Sequence, residues 1–252
     1  MRLVCHRRAF LLAAAGGAAL PALARARDAD VPYVPTPPEV VEGMLDMAGL
    51  KPGERLIDLG SGDGRIPMAA VRRGASALGV EIDSDLVARA RAKARFQGLE
   101  GRVHFVRDDL FTVSLRDADV VTLYLLPNIN ERLKPKLLSE MKPGARVVSH
   151  AFDMGDWPPE QHREVSEKHV YLWTIPAIAG GAWRLTRSDG STATLAIEQR
   201  YSRVSGTLDG RAIRDAQLAG AALSFTSDGV PYRGIVGDRT IVGDAWRAER
   251  ID

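Results

Sequence analysis

Residues 56–66, Leu-Ile-Asp-Leu-Gly-Ser-Gly-Asp-Gly-Arg-Ile, restrict this chain more than any other stretch. An apolar, strand-like run ends at Leu59, and glycine then occupies alternate positions 60, 62 and 64. Three such glycines let a backbone turn sharply and approach a ligand closely. A helix starting near Arg65 would aim its unpaired N–H groups into that turn. The spacing is Gly-x-Gly-x-Gly with Asp58 two residues ahead, not the Gly-x-Gly-x-x-Gly of dinucleotide-binding turns. Strand, glycine turn and helix together open an α/β unit.

The following residues repeat that alternation. Helices are expected at Arg65–Arg73, Asp85–Gln97 and about Glu131–Met141. Strands are expected at Arg55–Leu59, Ser76–Glu81, Val103–Val106, Asp119–Leu126 and Arg146–His150, and Val165–Ile175 would close the sheet as a hairpin with Lys168-His169 near its turn. Such a series implies a doubly wound, Rossmann-like sheet with its ligand at the carboxyl ends of the strands. Ahead of it, Thr36-Pro37-Pro38-Glu39 reads as a capping box opening a helix with an apolar stripe at Val40, Val41, Met44, Leu45 and Ala48. After Pro176 helical periodicity stops. Short runs broken by Asp189-Gly190, Asp209-Gly210, Asp228-Gly229 and Gly237-Asp238 predict a small all-β antiparallel domain, an open or half barrel, with Trp183 and Trp246 in its core.

The ends of the chain set the boundaries. Arg2, Arg7 and Arg8 precede an uncharged, Ala- and Leu-rich run from Ala9 to Ala24, and Ala-x-Ala sites follow. Residues 1–26 read as a twin-arginine-type signal segment, 27–176 as the α/β domain and 177–252 as the β domain. Export to the periplasm follows from that segment; a misassigned start would leave the protein cytoplasmic. Without the four arginines of residues 1–26 the formal charge moves from +2 to −2, which gives no basic field for nucleic acid. The one cysteine, Cys5, lies in that segment, and the five histidines show no metal-ligand spacing. No metal is expected.

The glycine turn resembles that of class I S-adenosylmethionine-dependent methyltransferases. In that family Asp58, Gly60, Ser61, Gly62 and Gly64 would meet the methionine part of the cofactor. Glu81, at the tip of the second strand, would accept both ribose hydroxyls. Past the third strand, Asp109 would accept the adenine amino group and the Leu110 N–H would serve a ring nitrogen; register favours Asp109 over Asp108. Asp83 reads as a helix cap. Thr36 and Tyr33 read either as a lid over the methionine end or as helix cap and packing aromatic. The fourth strand ends Tyr124-Leu125-Leu126-Pro127-Asn128, not Asn-Pro-Pro-Tyr, which argues against DNA and glutamine-amide acceptors.

A narrower resemblance covers roughly residues 32–175. Tyr33-Val34-Pro35-Thr36-Pro37, Asp58–Arg65, Asp109–Asp117 and Pro143–Ser149 are similar to the mitochondrial protein-lysine methyltransferases that act on the ATP synthase c-subunit and the adenine nucleotide translocase. The resemblance implies S-adenosylmethionine as cofactor and a protein lysine as acceptor, including one on a membrane protein. Tyr124 and Asn128 would then border the acceptor channel and orient the amine; the bland alternatives are a core aromatic and a helix cap. Two other functions remain open, a small-molecule methyltransferase and an exported binding protein without turnover.

Overall fold

A computed structural model describes residues 33–251, so the signal-like segment lies outside the described residues. The chain opens with α1 (Pro38–Met47), β1 (Arg55–Leu59), α2 (Arg65–Arg72), β2 (Ser76–Glu81), α3 (Ser84–Phe96), β3 (Val103–Arg107), β4 (Val120–Leu123), α4 (Pro127–Glu140) and β5 (Arg146–His150). A hairpin of β6 (Gln161–Val165) and β7 (Lys168–Thr174) follows. These strands form one sheet in the order β3-β2-β1-β4-β5-β7-β6, in which β1 to β5 are parallel and β7 runs antiparallel to both neighbours. The strand order reverses between β1 and β4, so both strands point their carboxyl ends into the crevice where such sheets bind ligands.

The helices cover both faces because each carries one apolar stripe. On one face α1, α2 and α3 bury Val40, Met44, Leu45, Ala70 and Val87 against the sheet. On the other, Leu133 and Leu137 of α4 pack with Met154, Trp157 and Trp173. Burying a leucine or valine completely contributes about 1.5–3 kcal/mol, and many side chains on both faces meet that condition.

Several expected boundaries move. α4 begins at Pro127 rather than Glu131, since Pro suits a first helical turn, where no N–H partner is needed. β4 accordingly stops at Leu123 instead of running to Leu126. The hairpin turn is Ser166-Glu167, and β6 lies earlier than expected because its mostly exposed, polar side chains carry no apolar alternation. Thr36 does not cap α1: Pro37 takes the cap position without a side-chain bond, and the Thr36 hydroxyl turns inward instead.

The second unit holds β8 (Gly181–Arg187), β9 (Thr192–Arg200), β10 (Arg203–Leu208), β11 (Arg211–Ala212), β12 (Arg214–Ala219), β13 (Ala222–Ser227), β14 (Val230–Val236), β15 (Thr240–Gly243) and β16 (Trp246–Arg250). They make a nine-stranded antiparallel sheet, β11-β10-β9-β8-β16-β15-β14-β13-β12, of nearly barrel shape. Asp209 and Asp228, both at positive φ, begin its tight turns, each followed by glycine. Trp183, Leu185, Leu195, Phe225 and Trp246 fill its interior. The two units meet where the Arg200 guanidinium pairs with Asp156 at 3.1 Å.

Candidate active site

A cavity of about 440 Å³ opens at the carboxyl ends of β1, β2 and β4. Its floor is the glycine turn between β1 and α2. Gly60, Gly62 and Gly64 all take the left-handed conformation, at φ 79°, 51° and 80°. At Gly62 a side chain would run into the Tyr33 ring, and at Gly64 a Cβ would lie 2.5 Å from Phe105 Cζ. Glycine is therefore required by both backbone and space.

Glu81 ties the turn to the neighbouring strand. Its Oε2 accepts the Gly62 N–H at 2.9 Å, and its Oε1 accepts the Asp83 N–H at 3.0 Å. Each oxygen keeps room for a second donor, which suits a diol. Asp83 caps α3 through the Asp85 and Leu86 N–H groups, as its spacing implies. Ser61 contributes a buried hydroxyl with no hydrogen-bond partner among the described residues, at the cavity wall. A buried, unpaired hydroxyl is costly, and a polar ligand in this cavity would relieve it.

Asp58 is buried at the end of β1, and its Oδ1 accepts the Thr122 hydroxyl proton at 2.7 Å. Burial pushes its carboxyl up to about 7; the Thr122 bond opposes this, and the Glu81 and Asp63 charges add to it. Beyond β3, Asp108 and Asp109 both reach the cavity. Asp108 is exposed and binds its own loop through the Asp109 N–H and the Thr112 hydroxyl. Asp109 is half-buried and accepts the Phe111 N–H at 2.9 Å, with Leu110 beside it on the wall.

Thr36 and Tyr124 line the same cavity. Behind them stands His150, the last residue of β5. Its ring lies 3.8 Å from that of Tyr124, centroid to centroid, and its Nδ1 sits 3.2 Å from the Thr36 hydroxyl. The imidazole is buried, and its Nε2 has no partner among the described residues. Burial lowers its pKa to about 4, with nearby Lys168 adding to the effect, so it is neutral at physiological pH.

The structure brings Asp58, Gly60, Ser61, Gly62, Glu81, Asp109, Leu110, Thr36 and Tyr124 to one cavity, with Gly64 closing the turn beneath. It does not bring Asn128 there. That residue is exposed in the first turn of α4, is not among the lining residues although its neighbour Ile129 is, and caps nothing. The buried asparagine is Asn130, two positions on, whose side-chain amide donates to Ser149 Oγ and to the Phe152 and Asp153 carbonyls. Helical geometry explains the exchange: once α4 starts at Pro127, position 128 faces solvent and position 130 faces the core.

Sequence reading passed over a second cluster. Arg65 binds both Asp63 oxygens at 2.9 Å and the Thr36 carbonyl at 2.8 Å, while Lys93 binds Asp63 at 2.6 Å. Burial works to raise the Asp63 carboxyl, but these two cations hold it well below the usual carboxylate range. Arg65 thereby fastens the 33–36 segment over the turn. A hint lay in the charged pair that flanks Gly64.

Known proteins match this site. A family model described as the ANTKMT methyltransferase domain matches residues 58–161. A protein-lysine N-methyltransferase of Saccharolobus islandicus (strain REY15A) is 43% identical over 151 residues, which are 58% of this chain and 94% of that relative. The chain belongs to the ANTKMT methyltransferase family. Another member, the adenine nucleotide translocase lysine N-methyltransferase of Mus musculus, is 42% identical over 51% of this chain; this chain spans 56% of that protein. A crystal structure described as an RNA methyltransferase from Salinibacter ruber with S-adenosyl-L-homocysteine has 48% identity and a TM-score of 0.56, covering 56% of this chain and 94% of that one. This ANTKMT-family domain is thus an S-adenosylmethionine-dependent methyltransferase, and the left-handed turn, Glu81 and the orphaned Ser61 hydroxyl fit that cofactor. The family match ends before the β module begins.

Proposed function

We propose that this enzyme methylates the side-chain amine of a lysine in a protein. The carrying observation is the charge of the cavity. Asp58, Asp63, Glu81, Asp83, Asp108 and Asp109 line it, against Arg65 as the one basic residue among the described lining groups. Such a mouth attracts a cationic acceptor and repels a phosphate backbone. The names of the archaeal and mouse relatives support the same reading.

When bound, S-adenosylmethionine supplies an electrophilic methyl carbon on a cationic sulfur. The chain's own residues would orient it: Glu81 the ribose hydroxyls, Asp109 and the Leu110 N–H the adenine, Asp58 and the Gly60–Gly64 turn the methionine part. Thr36 and Tyr124 would border the acceptor and hold its nitrogen by hydrogen bonds. Orientation at near-attack distance and exclusion of water supply most of the rate enhancement for such a displacement. The acceptor amine must be neutral. Desolvation at this wall lowers its pKa, and its proton leaves to solvent before transfer. His150, neutral and linked to both Thr36 and Tyr124, keeps a further positive charge away from that amine.

The test is transfer of tritiated methyl from the donor into cell extract depleted of this enzyme, separated into protein, RNA and low-mass fractions. Label on N-methylated lysine after protein hydrolysis is the expected result. Label confined to RNA or to small molecules would refute the reading. We further place the acceptor among membrane proteins and the enzyme outside the cytoplasm. Fractionation of labelled protein, with mass spectrometry of the mature N-terminus, checks both.

A further inference from the structure

The crossover loop from β5 to β6, residues 151–160, starts at the acceptor wall, directly after His150. Its first residue, Ala151, is held at φ 68°, and the Phe152 N–H donates back to the His150 carbonyl at 2.9 Å. This is the tight, strained three-residue turn that proteins rarely adopt. Such a conformation persists only where the surroundings over-determine it. Asn130 supplies part of the restraint through the Phe152 and Asp153 carbonyls.

The Ala151 N–H, which donates to the His169 carbonyl at 2.7 Å, and the Trp173 indole, which donates to the Trp157 carbonyl at 2.9 Å, add to it, and the β module supplies a further hold. Tyr201 begins the two-residue loop between β9 and β10 at φ 56°, a position where glycine is the usual choice. A bulky side chain there needs a reason. Its ring stacks on Trp157 at 5.5 Å and 19°, and its hydroxyl reaches both Asp156 oxygens at 2.9 Å. Arg200 and Lys134 bind the same carboxylate. Gln199 in turn fastens the Tyr201 carbonyl, at 2.8 Å, and the Ala177 carbonyl of the interdomain linker.

We propose that the β module positions the acceptor wall: Tyr201, gripping Asp156 and Trp157, holds the 151–160 loop so that the strained turn keeps His150 against Thr36 and Tyr124. Tyr201 is a positioning residue acting through that loop. Its kinetic consequence rests on the lysine reading above; its structural consequence does not.

The test compares Tyr201→Ala and Tyr201→Phe with the wild-type full chain. Hydrogen–deuterium exchange is followed over residues 150–158 and over the glycine turn. S-adenosyl-L-homocysteine binding is measured by calorimetry, and methyl transfer is measured on poly-L-lysine. In Tyr201→Ala we expect exchange over 150–158 to quicken about tenfold, with the glycine turn and S-adenosyl-L-homocysteine affinity unchanged within twofold. The KM for poly-L-lysine should rise about fivefold with kcat falling less. Tyr201→Phe, which keeps the stack and loses the carboxylate bonds, should fall between. Unchanged exchange, or equal acceleration throughout the protein, overturns the proposal. Faster loop exchange with an unaltered KM overturns its link to the acceptor. Absence of transfer to poly-L-lysine by the wild type counts against the lysine reading, while the exchange comparison still decides the brace.

Discussion

Asp58 and His150 respond to pH in opposite senses. The Asp58 carboxyl, about 7 when folded, is protonated in both folded and unfolded chains below about pH 4. As pH rises through 7 the unfolded chain ionises first, so stability falls. For His150, about 4 when folded, stability is full above about pH 6.5 and falls as pH drops toward 4. Between these limits the two effects offset. Asp58→Asn leaves only the second. Its stability relative to wild type should therefore improve by up to ~3 kcal/mol between pH 4.5 and 8, measured by urea unfolding; a flat difference would refute the assignment. At Glu81 the expectation concerns binding. Removing the charged acceptor proposed for the ribose hydroxyls costs about 1.5–3 kcal/mol, so Glu81→Ala should weaken S-adenosyl-L-homocysteine affinity by about ten- to a hundredfold in calorimetry. Asp58, Glu81 and Asp109 were legible as cavity-lining residues because the first two close on strand ends and the third follows one. Asp63 and His150 were not, since their significance lies in partners 30 and 114 residues away, Lys93 and Thr36.

At the scale of elements, the β1–turn–α2 unit is the least tolerant part of the fold. Gly64→Ala would combine a left-handed backbone with a Cβ 2.5 Å from Phe105. Strain and overpacking together predict a loss of about 2–4 kcal/mol, read as a lower midpoint in thermal unfolding. Gly98, also left-handed but with open space around it, should cost Ala only about 1 kcal/mol. The alternation of strands and helices from Arg55 to His150 was readable because buried parallel strands are short apolar runs between amphipathic helices. The start of α4 was not, since Leu125-Leu126 prolongs the apolar run of β4 and masks the boundary. Asn128 misses the cavity for a related reason: it lies inside α4, where residues two apart face nearly opposite sides, so Asn130 is buried and Asn128 is exposed. The capping reading of Thr36 failed differently. Local chemistry allowed a cap, and the distant His150 competed successfully for its hydroxyl.

For the whole molecule, the two units were legible as a change of period after Pro176, but their contact was not. Tyr201 appears in the sequence as an ordinary turn neighbour, and only packing discloses Trp157 opposite it. The acidic cavity also makes a whole-molecule prediction. Attraction between this acidic lining and a polycationic acceptor is screened by salt. Raising sodium chloride from 50 to 300 mM should increase KM for poly-L-lysine severalfold and leave S-adenosyl-L-homocysteine affinity nearly unchanged; an RNA acceptor would gain nothing from that lining.

The place of β16 in the second sheet has one more consequence. This last strand lies between β8 and β15, so it joins a ladder begun at Gly181 to another begun at Arg214. During synthesis those ladders emerge as separate half-sheets with open edges, and the closing piece arrives last. A stop codon a few residues before Trp246 would not trim a loose tail but remove the keystone between the two halves, leaving two unpaired edges available to other chains.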